Sequence, residues 1–316
     1  MTASRGHAVT VVKLAMVAFI WGGTFIAGRV VTAEMASPQA ALWRYVVASG
    51  ALLVVLAVLE RRWPPLSGRQ VAGVLLLGAT GVFAYNLCFM AGLKTVTASR
   101  GALIIALNPA MTALGAAVFF GDRLSPARIA GMVVALIGAT VVISHGDVRS
   151  LFDGALGTGE LLLFGSVASW VAYTLIGKRM LRGLSPLATS TYAAWAGTVM
   201  LALATVVSGD GIAPPQASLT AWSAIAFLGV FGTAVAFVWY YEGVHAIGPA
   251  AAAVFINLVP VSAVVLGVLL LDERLDAPTL LGGALVVAGV AILNRGGGGP
   301  APARPKRDAI GEAPCA

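Results

Sequence analysis

The stretch FMAGLKTVTASRGALIIALNPAMTALGAAVFFGDRLSPARIAGMVVALIGATVVI, positions 89–143, has an echo at positions 240–293, YYEGVHAIGPAAAAVFINLVPVSAVVLGVLLLDERLDAPTLLGGALVVAGVAIL. Adding 151 carries Gly92 onto Gly243, Pro109 onto Pro260, Arg123-Leu124 onto Arg274-Leu275, and Gly131 and Gly138 onto Gly282 and Gly289. The register continues upstream, where Gly78 and Gly81 fall on Gly229 and Gly232. A chain with 38 glycines matches a few by chance, but chance does not hold one ungapped register over successive helices and loops. A shorter match, offset by 149, lays WGGTFIAGR at Trp21 over WVAYTLIGKR at Trp170, and the Ser-Pro pairs at 37–38 and 185–186 are 148 apart.

Both copies are apolar almost throughout. Of 316 residues, 59% are hydrophobic and only 10% charged, against about 25% charged in soluble domains. Mean hydropathy is +0.92. A helix needs roughly 20 apolar residues to cross the hydrocarbon layer, and runs of that kind recur at 11–32, 38–59, 71–92, 98–120, 126–144, 158–178, 187–207, 220–241, 249–271 and 278–294. The runs are continuous and rich in Ala, Leu, Val and Gly, which excludes the strand alternation of a β-barrel. The predicted fold is therefore an all-α integral membrane protein of ten transmembrane helices. Ser37-Pro38 and Ser185-Pro186 mark helix starts. Trp63-Pro64-Pro65 and Pro214-Pro215 mark interfacial loops. The first run is too long for the apolar core of a signal peptide and reads as the first span.

The net charge of +7 sits in short loops and tails, without a basic stripe interleaved with aromatics, so it sets orientation and does not imply nucleic acid. With the N-terminus placed inside, outside segments hold Lys94, Arg100, Arg149 and Arg274, and Arg29 and Arg44 fall within helices. The other fourteen of the 20 Lys and Arg lie inside. Both termini are thus predicted to be cytoplasmic, which requires an even number of crossings. Five helices per copy then turn the second copy upside down. The predicted organisation is a first repeat at 1–144, a connecting loop at 145–157, a second repeat at 158–294 and a disordered basic cytoplasmic tail at 295–316. Inverted repeats are a transporter architecture, because two opposed halves can exchange inward-open and outward-open shapes. The plainer reading is an ancient duplication without mechanistic consequence.

These residues resemble the EamA family of the drug/metabolite transporter superfamily, over nearly the whole chain up to the tail. The two quoted stretches carry the resemblance, helped by FIWGGTFIAGRVV at Phe19 and LWRYVVA at Leu42. The chain is similar to aromatic amino acid exporters of the YddG type. The resemblance implies ten helices, cytoplasmic termini, a bacterial inner (plasma) membrane location and movement of amino acids or other metabolites, often outward. Two features depart from it. Arg44 faces Tyr192 in the corresponding slot, and the first-half turn reads Gly121-Asp122-Arg123 where the family usually carries a glutamate, as in Asp272-Glu273-Arg274.

Candidate substrate-binding residues are Trp21, Arg44, Tyr85, Asn108, Trp170, Tyr173 and Asn257. Pro109 and Pro260 lie near the middle of the fourth and ninth helices, where each removes a helix hydrogen bond and frees the carbonyl of Ile105 or Ile256. Such a break should face protein or a wet cavity, and Asn108 and Asn257 adjoin the two breaks. Kinking for packing alone is the competing reading. Trp21, Tyr85, Phe89, Trp170, Tyr173, Trp239 and Tyr240 would line a ring-walled path suited to aromatic or bulky aliphatic solutes, or would form interfacial belts. Trp21 and Trp170 occupy equivalent repeat positions. Arg44, six residues into its helix, could hold a substrate carboxylate, or snorkel to the outer headgroups, which is the favoured reading. Lys94 and Arg100 read as loop cations.

No Asp or Glu falls at mid-membrane. Glu160 and Glu242 sit near helix ends, and His145 and His245 fall in loops. The expectation is therefore facilitated diffusion or exchange without a buried proton relay, with Glu160 the most plausible exception. Gly131 with Gly138 and Gly282 with Gly289 recur at seven residues, a packing face with a potential role in dimerisation. Monomer and homodimer both stay open. Cys88 in an apolar run and Cys315 in the tail make no disulfide framework. No catalytic motif, metal-ligand cluster or cofactor signature appears. A non-enzymatic carrier of small molecules embedded in the lipid bilayer, working by alternating access, fits best. The alternatives are an exporter of other metabolites or drugs and a non-transporting membrane scaffold.

Overall fold

The structure, a computed structural model, describes residues 2–61, 63–122, 124–147, 157–180 and 184–295. Arg62, Arg123, Arg149 with the rest of 148–156, Arg182 and the tail from 296, including Cys315, lie outside the described residues. Among the described residues, ten helices are long and apolar enough to cross a membrane: α1 His7–Glu34, α2 Ser37–Leu59, α3 Gly68–Leu93, α4 Ala98–Phe120, α5 Pro126–Ile143, α6 Thr158–Lys178, α7 Pro186–Val207, α8 Leu219–Val244, α9 Ala251–Leu271 and α10 Ala277–Asn294. No strand occurs among the described residues. Large apolar side chains such as Phe119, Leu203, Val207 and Leu269 are exposed on the surface of the bundle, a surface that suits lipid and not water.

Helix starts are written in local chemistry. Ser67 caps α3 in a capping box with Gln70, and Ser218, 151 residues later, caps α8. Ser125 caps α5, and at the equivalent position Asp276 accepts the Thr279 N–H at 2.9 Å to cap α10. At their other ends, α4 and α9 both close on a left-handed residue, Gly121 (φ 70°) and Asp272 (φ 53°), again 151 apart. The repeat therefore preserves backbone geometry even where the side chain changes.

The two copies lie upside down to one another. The bundle has a near end, where α1 begins, and a far end, where it finishes. At the near end Ser185 donates to the Glu60 carboxylate (2.6 Å) and Tyr192 to the Pro64 carbonyl (3.1 Å). At the far end Glu34 accepts from the N–H and hydroxyl of Ser218, both at 2.7 Å. So α3 starts at the near end, and its counterpart α8 starts at the far end.

The halves meet where backbones touch. A Cβ on Gly131 would lie 2.6 Å from the Gly289 carbonyl oxygen, and one on Gly138 2.5 Å from that of Gly282. The contacts are reciprocal, so the α5–α10 crossing is closed by small residues from both sides. These glycines are consumed inside one chain and leave no seam for a second copy. A second crossing joins α2 to α7, where Ser49 and Thr198, 149 apart, hydrogen bond to one another at 3.0 Å. Two equivalent residues in contact mark the pseudo-two-fold axis. In this register Ala193, not Tyr192, faces Arg44 across the repeat.

Some irregularities go beyond the sequence reading. α3 widens to a π-helix over Gly78–Ala84, and α8 does so over Phe227–Val235, at equivalent positions. α4 divides into Ala98–Ile105 and Asn108–Phe120, and α9 has a first piece, Pro249–Ile256, and a second, Leu258–Leu271, with Pro109 and Pro260 in the first turn of each second piece.

Gly138→Leu should cost about 3 kcal/mol or more and lower the melting temperature of the purified protein, because the obstructing atoms are backbone. Gly50→Ala, with nothing within 4 Å of its Cβ, should melt like the parent. Asp276 is held down to a pKa of about 2 by hydrogen bonds from the Thr279 side chain first and His145 next. A carboxylate with a lowered folded pKa stabilises above its unfolded value and loses that contribution as pH falls through the folded one. The melting gap between the parent and Asp276→Ala, set by about 1 kcal/mol of capping, should therefore hold from neutral pH to about pH 4 and close toward pH 2.

Candidate functional site

α3 and α6 approach closely because Gly81 presents no side chain and the Tyr173 ring settles against it, while Gly92 faces Leu163 and the Gly159 carbonyl. Ser166 of α6 donates to the Tyr85 carbonyl at 3.2 Å. On this seam the helical spacings 85/89 and 170/173 bring four rings into line. Tyr85 stacks on Phe89 (centroids 5.8 Å apart) and meets Trp170 (5.6 Å), which stacks on Tyr173 (5.2 Å). Phe25 of α1 joins by an edge contact to Phe89 at 5.3 Å. The result is a continuous chain of rings linking α1, α3 and α6, and so both halves.

Arg44 ends this chain. It is only 8% exposed, so it does not reach the headgroups, and the snorkelling expectation is corrected. The guanidinium carbon lies 5.6 Å from the Tyr45 ring centre and 5.9 Å from that of Phe89, and Nε is buried without a hydrogen-bond partner. Close-packed rings around residue 44 leave the side chain facing inward, where cation–π attraction of up to about 2 kcal/mol offsets part of its desolvation.

Trp21 stands apart from Trp170. Its indole N–H donates to the Gly232 carbonyl at 3.1 Å, inside the π-helical part of α8, and its ring packs on Phe237 and Tyr240. The equivalent pair thus serves two separate ring groups. Asn108 opens the second piece of α4 with its Oδ1 buried and unpartnered. Asn257 sits in the α9 break, and its Oδ1 accepts from Asn294 at 3.2 Å. The sequence reading passed over Phe25 and Asn86. Asn86 is fully buried beside Tyr85, with Nδ2 on the Val82 carbonyl at 2.7 Å and Oδ1 unpartnered. A lone amide inside an apolar run was the available signal.

The far end is latched by polar contacts. Arg29 donates to the carbonyls of Leu93, Lys94 and Val96. Glu273 accepts from the N–H groups of Ala98 and Ser99 and from the Ser99 hydroxyl, capping α4 across the halves. Arg100 lies in helix α4, not in a loop, and pairs with Glu160 at 3.1 Å with side chains 18% and 9% exposed. His145 pairs with Asp276. A depression of about 390 Å³ lies here, lined by Arg29, Val30, Ala33, Glu34, Thr97, Leu271 and Glu273. None of the predicted site residues lines it, and its charged groups are already bonded. At the near end the pairs Lys13–Glu242 and Lys178–Asp122 are much more exposed than Arg100–Glu160, and about as exposed as His145–Asp276.

Comparison with known proteins fits this layout. The EamA-like transporter family matches residues 9–144 and 157–295. The "Probable terminal-alkyne amino-acid exporter" of Streptantibioticus cattleyicolor is 32% identical, over 89% of this chain and 92% of that protein. The "Uncharacterized transporter YyaM" of Bacillus subtilis is 27% identical, over 85% and 88% respectively. The "Uncharacterized inner membrane transporter YedA" of Escherichia coli K12 is 26% identical, over 88% of each. A solved crystal structure shares the fold with a TM-score of 0.64 at 18% identity, covering 90% of this chain and 98% of that one. The chain belongs to the EamA-like transporter family, a family of membrane transporters.

Proposed function

We propose that the protein is a secondary carrier that exports amino acids with aromatic or other hydrophobic side chains across a bacterial inner membrane by alternating access. The observation that carries this is the ring chain Phe25–Phe89–Tyr85–Trp170–Tyr173, which joins the inverted halves on the inside of the bundle. Rings on both halves give an apolar solute contacts that re-form as the halves rock. The amino-acid exporter among the relatives supports the substrate class. The excess of Lys and Arg in the segments assigned to that side supports a cytoplasmic near end and cytoplasmic termini. The far-end latches then hold the outer mouth together, and the exposed near-end pairs are the easier ones to part.

The carrier reading needs no buried proton relay. Glu160 already has Arg100 as its counter-ion. Exchange should run on the solute gradient alone.

Purified protein in liposomes preloaded with unlabelled phenylalanine should accumulate labelled phenylalanine by counterflow, and Trp170→Ala should slow this about 3- to 10-fold, the loss of one or two ring contacts. Counterflow no faster than in empty liposomes would sink the reading. A protonophore should leave the rate unchanged. Glu160→Gln should stay insensitive to it too, while losing about 3 kcal/mol of stability through the orphaned Arg100, seen as a lower melting temperature.

A further inference from the structure

Three arginines lie within spans toward the far end, and two have their charge answered: Arg29 by three carbonyls, and Arg100 by Glu160 and the Ile143 carbonyl. Arg44 is different. It is 8% exposed, and none of the four ion pairs among the described residues includes it. Its neighbours Tyr45 and Phe89 offer ring faces, and its Nε is buried with no partner. Ring faces attract a cation but do not satisfy N–H donors, so among the described residues the Nε–H of the guanidinium is left without an acceptor. A buried charge in this condition is costly unless an anion completes it.

We propose that Arg44 is the specificity-determining anchor for the solute's carboxylate, making the protein selective for organic acids with an apolar or ring-bearing body. The inference rests on the carrier reading above and deepens it. The planar fork of a guanidinium matches a carboxylate with two parallel hydrogen bonds. Phe89, beneath Arg44, opens the ring chain, so a solute anchored by its carboxylate lays its body along Tyr85 and Trp170. An ester of the same body lacks the charge, and an amine is repelled. Among the described residues no acidic side chain pairs with Arg44 to neutralise it beforehand, so the selectivity is for the acid itself and does not require an amino group.

The test is equilibrium binding to the full chain in detergent, read by tryptophan fluorescence, with L-phenylalanine, 3-phenylpropanoate and the methyl ester of each. Each acid should bind about 10- to 100-fold more tightly than its ester, the worth of one charge-assisted contact. Arg44→Gln should abolish that ratio, and Arg44→Lys should keep part of it. A purely structural Arg44 would lower the melting temperature and leave the ratio alone. If 3-phenylpropanoate shows the Arg44-dependent ratio and phenylalanine does not bind, the anchor stands and the amino-acid reading falls. Equal binding of acid and ester by the parent, a ratio unchanged in Arg44→Gln, or no binding of either acid overturns the anchor.

Discussion

The crossing of α5 and α10 is the contact on which the architecture depends. Gly131 meets the Gly289 carbonyl and Gly138 meets that of Gly282, each at a separation that no side chain could share. The repeat carries Gly131 onto Gly282 and Gly138 onto Gly289, so each contact is the image of the other. Contacts of that reciprocal kind arise only about a two-fold axis. Within one chain they require two similar halves, inverted and face to face. Ser49 and Thr198 repeat the argument on α2 and α7 with a single hydrogen bond. Packing in a membrane gains little from apolar burial alone, and close backbone approach takes its place.

The lipid environment explains where the irregular backbone sits. Peptide groups facing hydrocarbon have to be paired within their own helix. The π-helical stretches of α3 and α8 are sheltered accordingly. Gly78 lies against Ala196 and Gly197, and Gly229 against Val47 and Ala48. The Gly232 carbonyl in the second stretch is met by the Trp21 indole. Widened turns are frequent at functional sites, and here they lie one turn or less from Tyr85 and next to Trp21.

Much of this was legible in the sequence, for physical reasons that also set the limits. Long apolar runs read directly as spans, and their ends fell where Ser-Pro pairs and small polar residues could cap them. The repeat revealed the inversion because five is odd. Pro109 and Pro260 lie just past the points where α4 and α9 divide. The π-helical stretches were not legible, since GATGVFA and FLGVFGTAV carry no breaker and differ from an α-helix only in hydrogen-bond spacing. In sequence Arg44 reads as a headgroup anchor and Arg100 as a loop cation, because a cation near the end of an apolar run looks solvated until its neighbours are known. Phe89 and Tyr45 decide the first, and Glu160 decides the second. Trp21 and Trp170 occupy equivalent repeat positions, yet the equivalence said nothing of which rings each would meet.

The two ends of the molecule differ although the halves are alike. Glu273 reaches across to cap α4, whereas Asp122, one methylene shorter at the equivalent turn, joins Lys178 in an exposed pair. That asymmetry gives a symmetric framework different polar contacts at its two ends. Inversion of the halves is the claim beneath all of this, and labelling tests it most directly. Pro65→Cys and Gln216→Cys occupy equivalent, exposed positions 151 apart, and each can be placed singly in a chain whose Cys88 and Cys315 are replaced by Ala. A membrane-impermeant maleimide applied to intact cells should label residue 216 at once and residue 65 only after permeabilisation. Labelling of both from the same side would contradict the inverted architecture.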